Sequence, residues 1–393
     1  MKIAVLGHRR FPIKEPFAGG IERFTHSIVK EFKQRGCQVT LFAHPQSDRE
    51  LNLSLEPIID TSFCNNADEK SHEAYLNIMD YLSTQDFDLV HDNSLNYFPI
   101  ILEDRLNAPL VTTLHTPPFP RLTSAVRYRL RKQRGYYVSI SKFNTQLWGL
   151  NNINNNSIET IHNGVDTKTF AYSPFYYRNC AVWTGRIIPD KGTHLAIEAA
   201  KKAKIHLVIA GPISDRHYFE TEIEPHLGKG VEYVGHLAQD ELVALLQSAA
   251  VTLCTPVWNE PFGLVVIESL ACGTPVVAFD RGAMSEILDC QTGVIVPPDD
   301  TDALAEGIKR AKRCSRYSCR KLVLERFSLD MMVNKYLQAF ERIVDGHKKI
   351  CTLATTYTST VKDTPIELEQ SPKVSVSPLP SSGLALLEAT GQE

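Results

Sequence analysis

Short apolar runs alternate with helix-period stretches along most of this chain. Residues 2–7 form the first run. After a loop containing Gly19 and Gly20, the residues Ile21, Phe24, Ile28 and Phe32 recur on one helical face until Gly36 stops the helix. Further runs lie at 37–43, 87–91, 110–115, 137–140 and 158–162, and a second series follows at 180–185, 206–211, 231–235, 251–255, 275–279 and 293–296. Short strands alternating with helices are the sequence form of a parallel sheet covered on both faces. The pattern predicts an α/β protein of two Rossmann-like, doubly wound domains, spanning 1–170 and 171–327. The boundary is set where Asn163-Gly164-Val165-Asp166 is turn-prone and 171–179 is aromatic and interrupted by Pro174. Such folds bind ligands at the carboxyl ends of their strands, which places the substrates in a central cleft between the domains. Residues 329–344 read as a final helix within a segment 328–350. Residues 351–393, rich in Ser, Thr and Pro with Tyr357 as their one aromatic, read as a disordered tail.

Composition narrows the function classes. With 43% hydrophobic and 22% charged residues in 393, the chain has material for a large core, and its net charge of −3 argues against a nucleic-acid binder that relies on a general basic surface. Nine cysteines without regular spacing fit reduced thiols; Cys314 and Cys319 lie in a basic helical stretch with no further ligands for zinc. Asp86-Phe87-Asp88 leads straight into apolar Leu89-Val90, which reads as a strand start and not as a metal pair. The first apolar run is too short for a signal-peptide core and no stretch approaches 18 apolar residues, so a cytosolic protein is expected. Neither series has G-x-G-x-x-G after its first strand, which removes the main support for a nicotinamide dehydrogenase.

Two segments carry candidate chemistry. In Asn259-Glu260-Pro261-Phe262-Gly263-Leu264, followed by Val265, Ile267, Glu268 and Leu270, a turn with a permissive glycine opens a helix, and two glutamates stand eight positions apart. The helix N-terminus therefore faces whatever Glu260 faces, an anion-binding start beside a carboxylate. In Gly185-Arg186-Ile187-Ile188-Pro189-Asp190-Lys191-Gly192, a strand end, a guanidinium, a tight turn, an ammonium and a helix start follow one another, so two cations can converge on one anion.

The glutamate segment resembles the E-x7-E signature of glycosyltransferase family 4, and the resemblance extends over about residues 1–345. It implies the GT-B architecture, with the last helix crossing back to brace the first domain. It also implies a nucleotide-diphosphate sugar as co-substrate, with no other cofactor and no metal. By the same resemblance, Arg186 and Lys191 hold the diphosphate, Glu268 accepts from the ribose, and Glu260 lies at the sugar ring. The backbone of Phe262, Gly263 and Leu264 holds sugar hydroxyls or phosphate. His115, in Thr-Leu-His-Thr-Pro-Pro, reaches the sugar from the other domain. Gly19 and Gly20 match the glycine loop, and Gly211, His236 and Leu237 lie in loops that contact the nucleobase. Uridine is the common donor base of the family, and guanosine and adenosine stay open. The implied reaction retains anomeric configuration by front-face displacement, with Glu260, His115, Arg186 and Lys191 as the catalytic set and a hydroxyl acceptor on a glycan, lipid or small molecule. Alternatives are a phosphorylase or sugar-nucleotide epimerase of the same fold, or a non-catalytic nucleotide-sugar-binding protein. Arg121, Arg127, Arg129, Arg131, Lys132 and Arg134 form an acid-free run, read as a solvated helical face, with an anionic acceptor or an anionic membrane as the other readings.

Overall fold

Two six-stranded sheets, parallel throughout, are built from the apolar runs, and each run is a strand. The structure is a computed structural model that describes residues 1–55, 67–151 and 157–362. The first sheet contains β1 (Lys2–Leu6), β2 (Gln38–Phe42), β3 (Leu89–Asp92), β4 (Leu110–Leu114), β5 (Tyr136–Ser139) and β6 (Ile158–Thr160), in the order β2-β1-β3-β4-β5-β6. The second contains β7 (Arg178–Thr184), β8 (His206–Ala210), β9 (Val231–Tyr233), β10 (Ala249–Cys254), β11 (Val276–Phe279) and β12 (Gly293–Val296), in the order β12-β11-β10-β7-β8-β9.

Burial on both faces explains the unbroken apolar runs. Along β1, Ile3 and Val5 join one core cluster with Ile28 and Phe32, while Ala4 and Leu6 join another with Tyr75 and Met79. Along β7, Ala181 and Trp183 point one way and Cys180 and Val182 the other. Successive strand residues must alternate in this way. Each sheet also reverses direction once. The chain leaves β1 for β2 on one side and returns to β3 on the other; it leaves β7 for β8 and returns to β10. At these two points, where Leu6 lies beside Asp92 and Trp183 beside Leu253, the connections diverge and open a crevice at the strand carboxyl ends.

The chain passes between the two sheets twice. Phe327 belongs to the second domain's core, whereas Leu329, Met332, Val333, Tyr336, Phe340 and Val344 form a helical stripe packed on Phe24, Ile28 and Phe32 of the first. The two crossings are bonded side by side: Val165 N–H donates to Phe327 O and Leu329 N–H to Val165 O, each at 2.9 Å. A Cβ at Gly164 would stand 2.7 Å from the Leu329 Cα, so the contact is backbone on backbone. The last helix runs Leu329–Lys362, beyond the end at 344 read from its apolar spacing. No proline lies between Leu329 and Pro365, so none breaks the hydrogen-bond ladder earlier. One compact unit ends at His347; the second, from Lys348, is helical through Lys362, and the remainder of the expected disordered tail, 363–393, lies outside the described residues. Among the described residues no helix is long and apolar enough to cross a membrane.

The basic run divides. Arg121, Arg127, Arg131, Lys132 and Arg134 are exposed, but Arg129 is 1% exposed and is not part of the solvated face. With Leu122, Ala125 and Val126 it completes the buried stripe of the Pro120–Arg131 helix. Its guanidinium donates to Asp104 through Nη1 at 2.6 Å and Nη2 at 2.9 Å, and Nη2 also donates to Glu103. A buried cation is tolerated where a carboxylate meets it, and two acids from a turn earlier in the chain do so here. Arg129→Gln leaves Glu103 without its counter-charge and is expected to cost about 3 kcal/mol of unfolding free energy, the low end for a broken buried pair because Asp104 stays half-exposed. Arg131→Gln on the exposed face is expected to change it by less than about 0.5 kcal/mol. Urea unfolding of both variants checks this, and equal losses would return Arg129 to the surface set.

Candidate functional site

The second sheet's reversal point supplies most of the polar groups. β7 is followed by Gly185, and β8 by Gly211 at φ +146°; a Cβ on Gly211 would stand 1.8 Å from Gly185 O, so only glycine lets these two strand-end loops touch. The loop after Gly185 presents Arg186, exposed, and ends in Lys191 just before the Thr193–Ala203 helix. Lys191 Nζ donates to Glu260 Oε2 at 2.5 Å, and Trp258 Nε1 donates to the same oxygen at 3.0 Å. The Lys191 ammonium also lies 4.8 Å from the centre of the Trp258 ring. One carboxylate oxygen of Glu260 is thus fixed by two donors. Gly282, at φ +73°, backs this loop so closely that a Cβ would stand 1.9 Å from Glu260 O.

Gly263, at φ +102°, starts the Leu264–Ala271 helix, and Gly263, Leu264 and Val265 at that N-terminus line the cleft. Glu268, in this helix, is 3% exposed, and its Oε1 accepts from Arg23 Nη1 of the Gly20–Gln34 helix in the first domain. The guanidinium of Arg23 is held between the rings of Phe17 and Phe170, at 5.6 and 5.7 Å from their centres.

The first domain contributes an uncharged polar chain. His115, at the end of β4, places Nε2 2.8 Å from Asn93 Oδ1, and Asn93 Nδ2 lies 3.4 Å from His91 Nδ1. His91 Nε2 lies 2.9 Å from Thr113 Oγ1, which is 3.3 Å from the Tyr336 hydroxyl on the last helix. Burial pushes the His115 imidazole down to about 3, with the charge of His8 adding to the effect, and burial likewise pushes His91 down to about 3. Both rings are neutral at physiological pH. The carbonyl oxygen of Asn93 assigns the proton of His115 to Nε2 and leaves Nδ1 as an acceptor.

The domains are also joined beside the site. Ser141 caps the Lys142–Leu147 helix and donates through Oγ to Pro261 O at 2.6 Å. Glu286 accepts from Lys142 N–H at 2.9 Å and Phe143 N–H at 2.5 Å, and lies 3.0 Å from His162 Nε2. Burial acts to raise the Glu286 carboxyl, but the His162 ring and the two N–H groups outweigh it and hold it below its ordinary value.

A cavity of about 410 Å³ lies between the domains, a size suited to a small-molecule ligand. It gathers every candidate residue: Gly19, Gly20 and His115 from the first domain face Arg186, Lys191, Gly211, His236, Leu237, Glu260, Phe262, Gly263, Leu264 and Glu268 from the second. It also brings in Arg23, Trp258, Glu22 and His8, which the sequence reading missed. Trp258 stands two residues before Glu260 and was within reach of a reading that extended the motif backward. Arg23 offered no local signal, because its partner lies 245 residues away. Among the described residues no group of three or more His, Cys, Asp or Glu side chains converges as a metal site would require.

Comparison with known proteins agrees with this geometry. The family model for Glycosyltransferase Family 4 matches residues 18–169, and that for Glycosyl transferases group 1 matches residues 174–323. Glycogen synthase of Mycobacterium tuberculosis is 28% identical over 241 residues, which are 56% of this chain and 58% of that protein, so the match spans little more than half of the relative. The crystal structure of AviGT4, a glycosyltransferase involved in avilamycin A biosynthesis, has a TM-score of 0.67 at 21% identity and covers 88% of this chain and 98% of its own. Anabaena Alr3699/HepE, solved in complex with UDP-glucose, has a TM-score of 0.69 at 19% identity and covers 87% and 100%. These structural likenesses establish the two-domain fold, and with one family model matched to each domain the chain belongs to glycosyltransferase family 4 and has the GT-B architecture.

Proposed function

We propose that the protein transfers a hexosyl group from a nucleotide-diphosphate sugar, with UDP-sugar as the preferred donor, to a hydroxyl acceptor with retention of configuration and without a catalytic metal. The observation that carries this reading is the meeting of Arg186, Lys191, Glu260 and Glu268 with His115 and the glycine loop around one cleft. The leaving diphosphate develops negative charge as the glycosidic bond breaks, and Arg186, Lys191 and two helix starts answer it with fixed positive ends. The acceptor oxygen bonds to the anomeric carbon on the face the diphosphate leaves, and its proton passes to a departing phosphate oxygen. Glu260 stabilises the positive charge that builds on the sugar ring. His115, neutral, offers Nδ1 to a sugar hydroxyl without adding charge to a site already rich in cations. Anabaena Alr3699/HepE, which binds UDP-glucose, supports uridine as the base.

The two glutamates divide the donor between them. Glu268→Gln is expected to weaken UDP binding by about 1.5 to 3 kcal/mol, the value of a charge-assisted hydrogen bond. Glu260→Gln is expected to leave UDP binding unchanged and to lower turnover of the sugar-bearing donor. Calorimetry with UDP and steady-state UDP release from UDP-glucose distinguish the two, with melting curves confirming the fold. Wild-type turnover by Glu260→Gln would remove the site assignment. The same assay separates the rival chemistries, because a phosphorylase requires inorganic phosphate and an epimerase releases no nucleotide.

Turnover is expected to persist in excess EDTA, since the cations that meet the diphosphate are side chains. Activity lost to the chelator and restored by magnesium or manganese would contradict the metal-free site.

An anionic membrane is the partner we propose for the exposed face of the Pro120–Arg131 helix. Arg121, Arg127 and Arg131 lie on it with Lys132 following, and the exposed aromatics Phe119 and Tyr128 flank them. Each cation near an anionic bilayer contributes about 1 kcal/mol. The triple change of Arg127, Arg131 and Lys132 to Gln is expected to reduce partition onto phosphatidylglycerol vesicles by roughly tenfold or more. Unchanged vesicle binding at moderate salt would leave these residues as solvated surface.

A further inference from the structure

One carboxylate of the cleft has no part in the donor site. Glu22, in the first turn of the Gly20–Gln34 helix, is 5% exposed and lines the cavity beside Gly19, where a Cβ would stand 3.1 Å from its Oε2. Its nearest ionic neighbour is His8 Nδ1 at 3.5 Å, beyond ordinary hydrogen-bond length. That nitrogen is engaged elsewhere, since it accepts from Arg10 N–H at 3.3 Å. No hydrogen bond to Glu22 is made among the described residues, and none ties it back to its own helix. The first helical turn favours a negative charge there, but a carboxylate this deeply buried still requires donors. His8 follows β1, lines the same cavity, and is partly exposed to it.

We propose that Glu22 and His8 form the acceptor subsite and that it takes the vicinal hydroxyls of a neutral polyol, a sugar or cyclitol. The proposal rests on the donor assignment above, which places the nucleotide on the opposite wall. Glu22 accepts from one hydroxyl and His8 engages its neighbour, so the reacting oxygen is held beside the glycine loop. Glu22 positions the acceptor and does not act as the base, because the acceptor proton leaves with the diphosphate. A phosphate or carboxylate at the reacting end is rejected by the Glu22 charge.

The test uses the whole protein and the variants Glu22→Gln, Glu22→Ala and His8→Ala. UDP affinity by calorimetry is expected to stay within about twofold in all three, which reports an intact fold and donor wall. Saturation-transfer NMR is run with glucose and myo-inositol, and with glucose 6-phosphate as the anionic control, in the presence and absence of UDP. Signal is expected from the neutral polyols on the wild type, several-fold weaker on Glu22→Gln and weaker still on Glu22→Ala. The KM for polyol-dependent UDP release from UDP-glucose is expected to rise about tenfold in Glu22→Gln. Polyol signals and KM unchanged in both Glu22 variants overturn the subsite, as does loss of UDP affinity in Glu22→Gln with its melting curve intact. No UDP binding by the wild type instead overturns the donor reading, and the polyol signals measured without nucleotide still decide the role of Glu22.

Discussion

A carboxylate removed from water needs a counter-charge, and Glu268 finds its partner in the other domain. At 3% exposure, an unpaired Glu268 would cost several kcal/mol, so the ion pair with Arg23 is a condition for the domains to lie this close. Other features of the cleft follow from it. The starts of the Gly20–Gln34 and Leu264–Ala271 helices lie close together, and a Cβ at Gly20 would stand 2.9 Å from Leu264 Cδ1. Under the donor reading we propose, the ribose meets a carboxylate already shared between both domains, so donor binding and domain apposition would draw on one group.

The two walls of the cleft are built on different electrostatic terms. The wall we propose for the donor concentrates formal charge, with Lys191 balanced by Glu260 and Arg186 in no ion pair among the described residues. The opposite wall is kept neutral around His115 by burial, and its polarity is carried by a chain of hydrogen bonds that reaches Tyr336 on the last helix. Of the first domain's cations at the cleft, Arg23 is bound to Glu268 of the second. The last helix thus does more than cover apolar surface, since it ends the chain of contacts that orients His115.

Much of this was legible in the sequence because it is local. The strand runs, the turn at Gly263 and the Arg186 to Lys191 loop are each written in consecutive residues, and parallel sheets bring strand ends together wherever the chain reverses. What escaped depends on distance. Arg129 falls on the apolar stripe of its helix, a periodicity that could have marked it as buried, but the acids that make its burial tolerable lie in a separate turn at Glu103 and Asp104. Arg23 and Glu22 sit in the first turn of a helix whose other residues give no sign of which cleft wall they will face. The length of the last helix was missed because its apolar stripe ends before its backbone ladder does.

The paired crossings at Val165 and Leu329 bear on how the enzyme can move. Two chain segments bonded to each other side by side must move together if the domains shift, because sliding one past the other breaks both bonds. The residues we propose to act together line one cavity from both domains, so their spacing depends on this backbone contact.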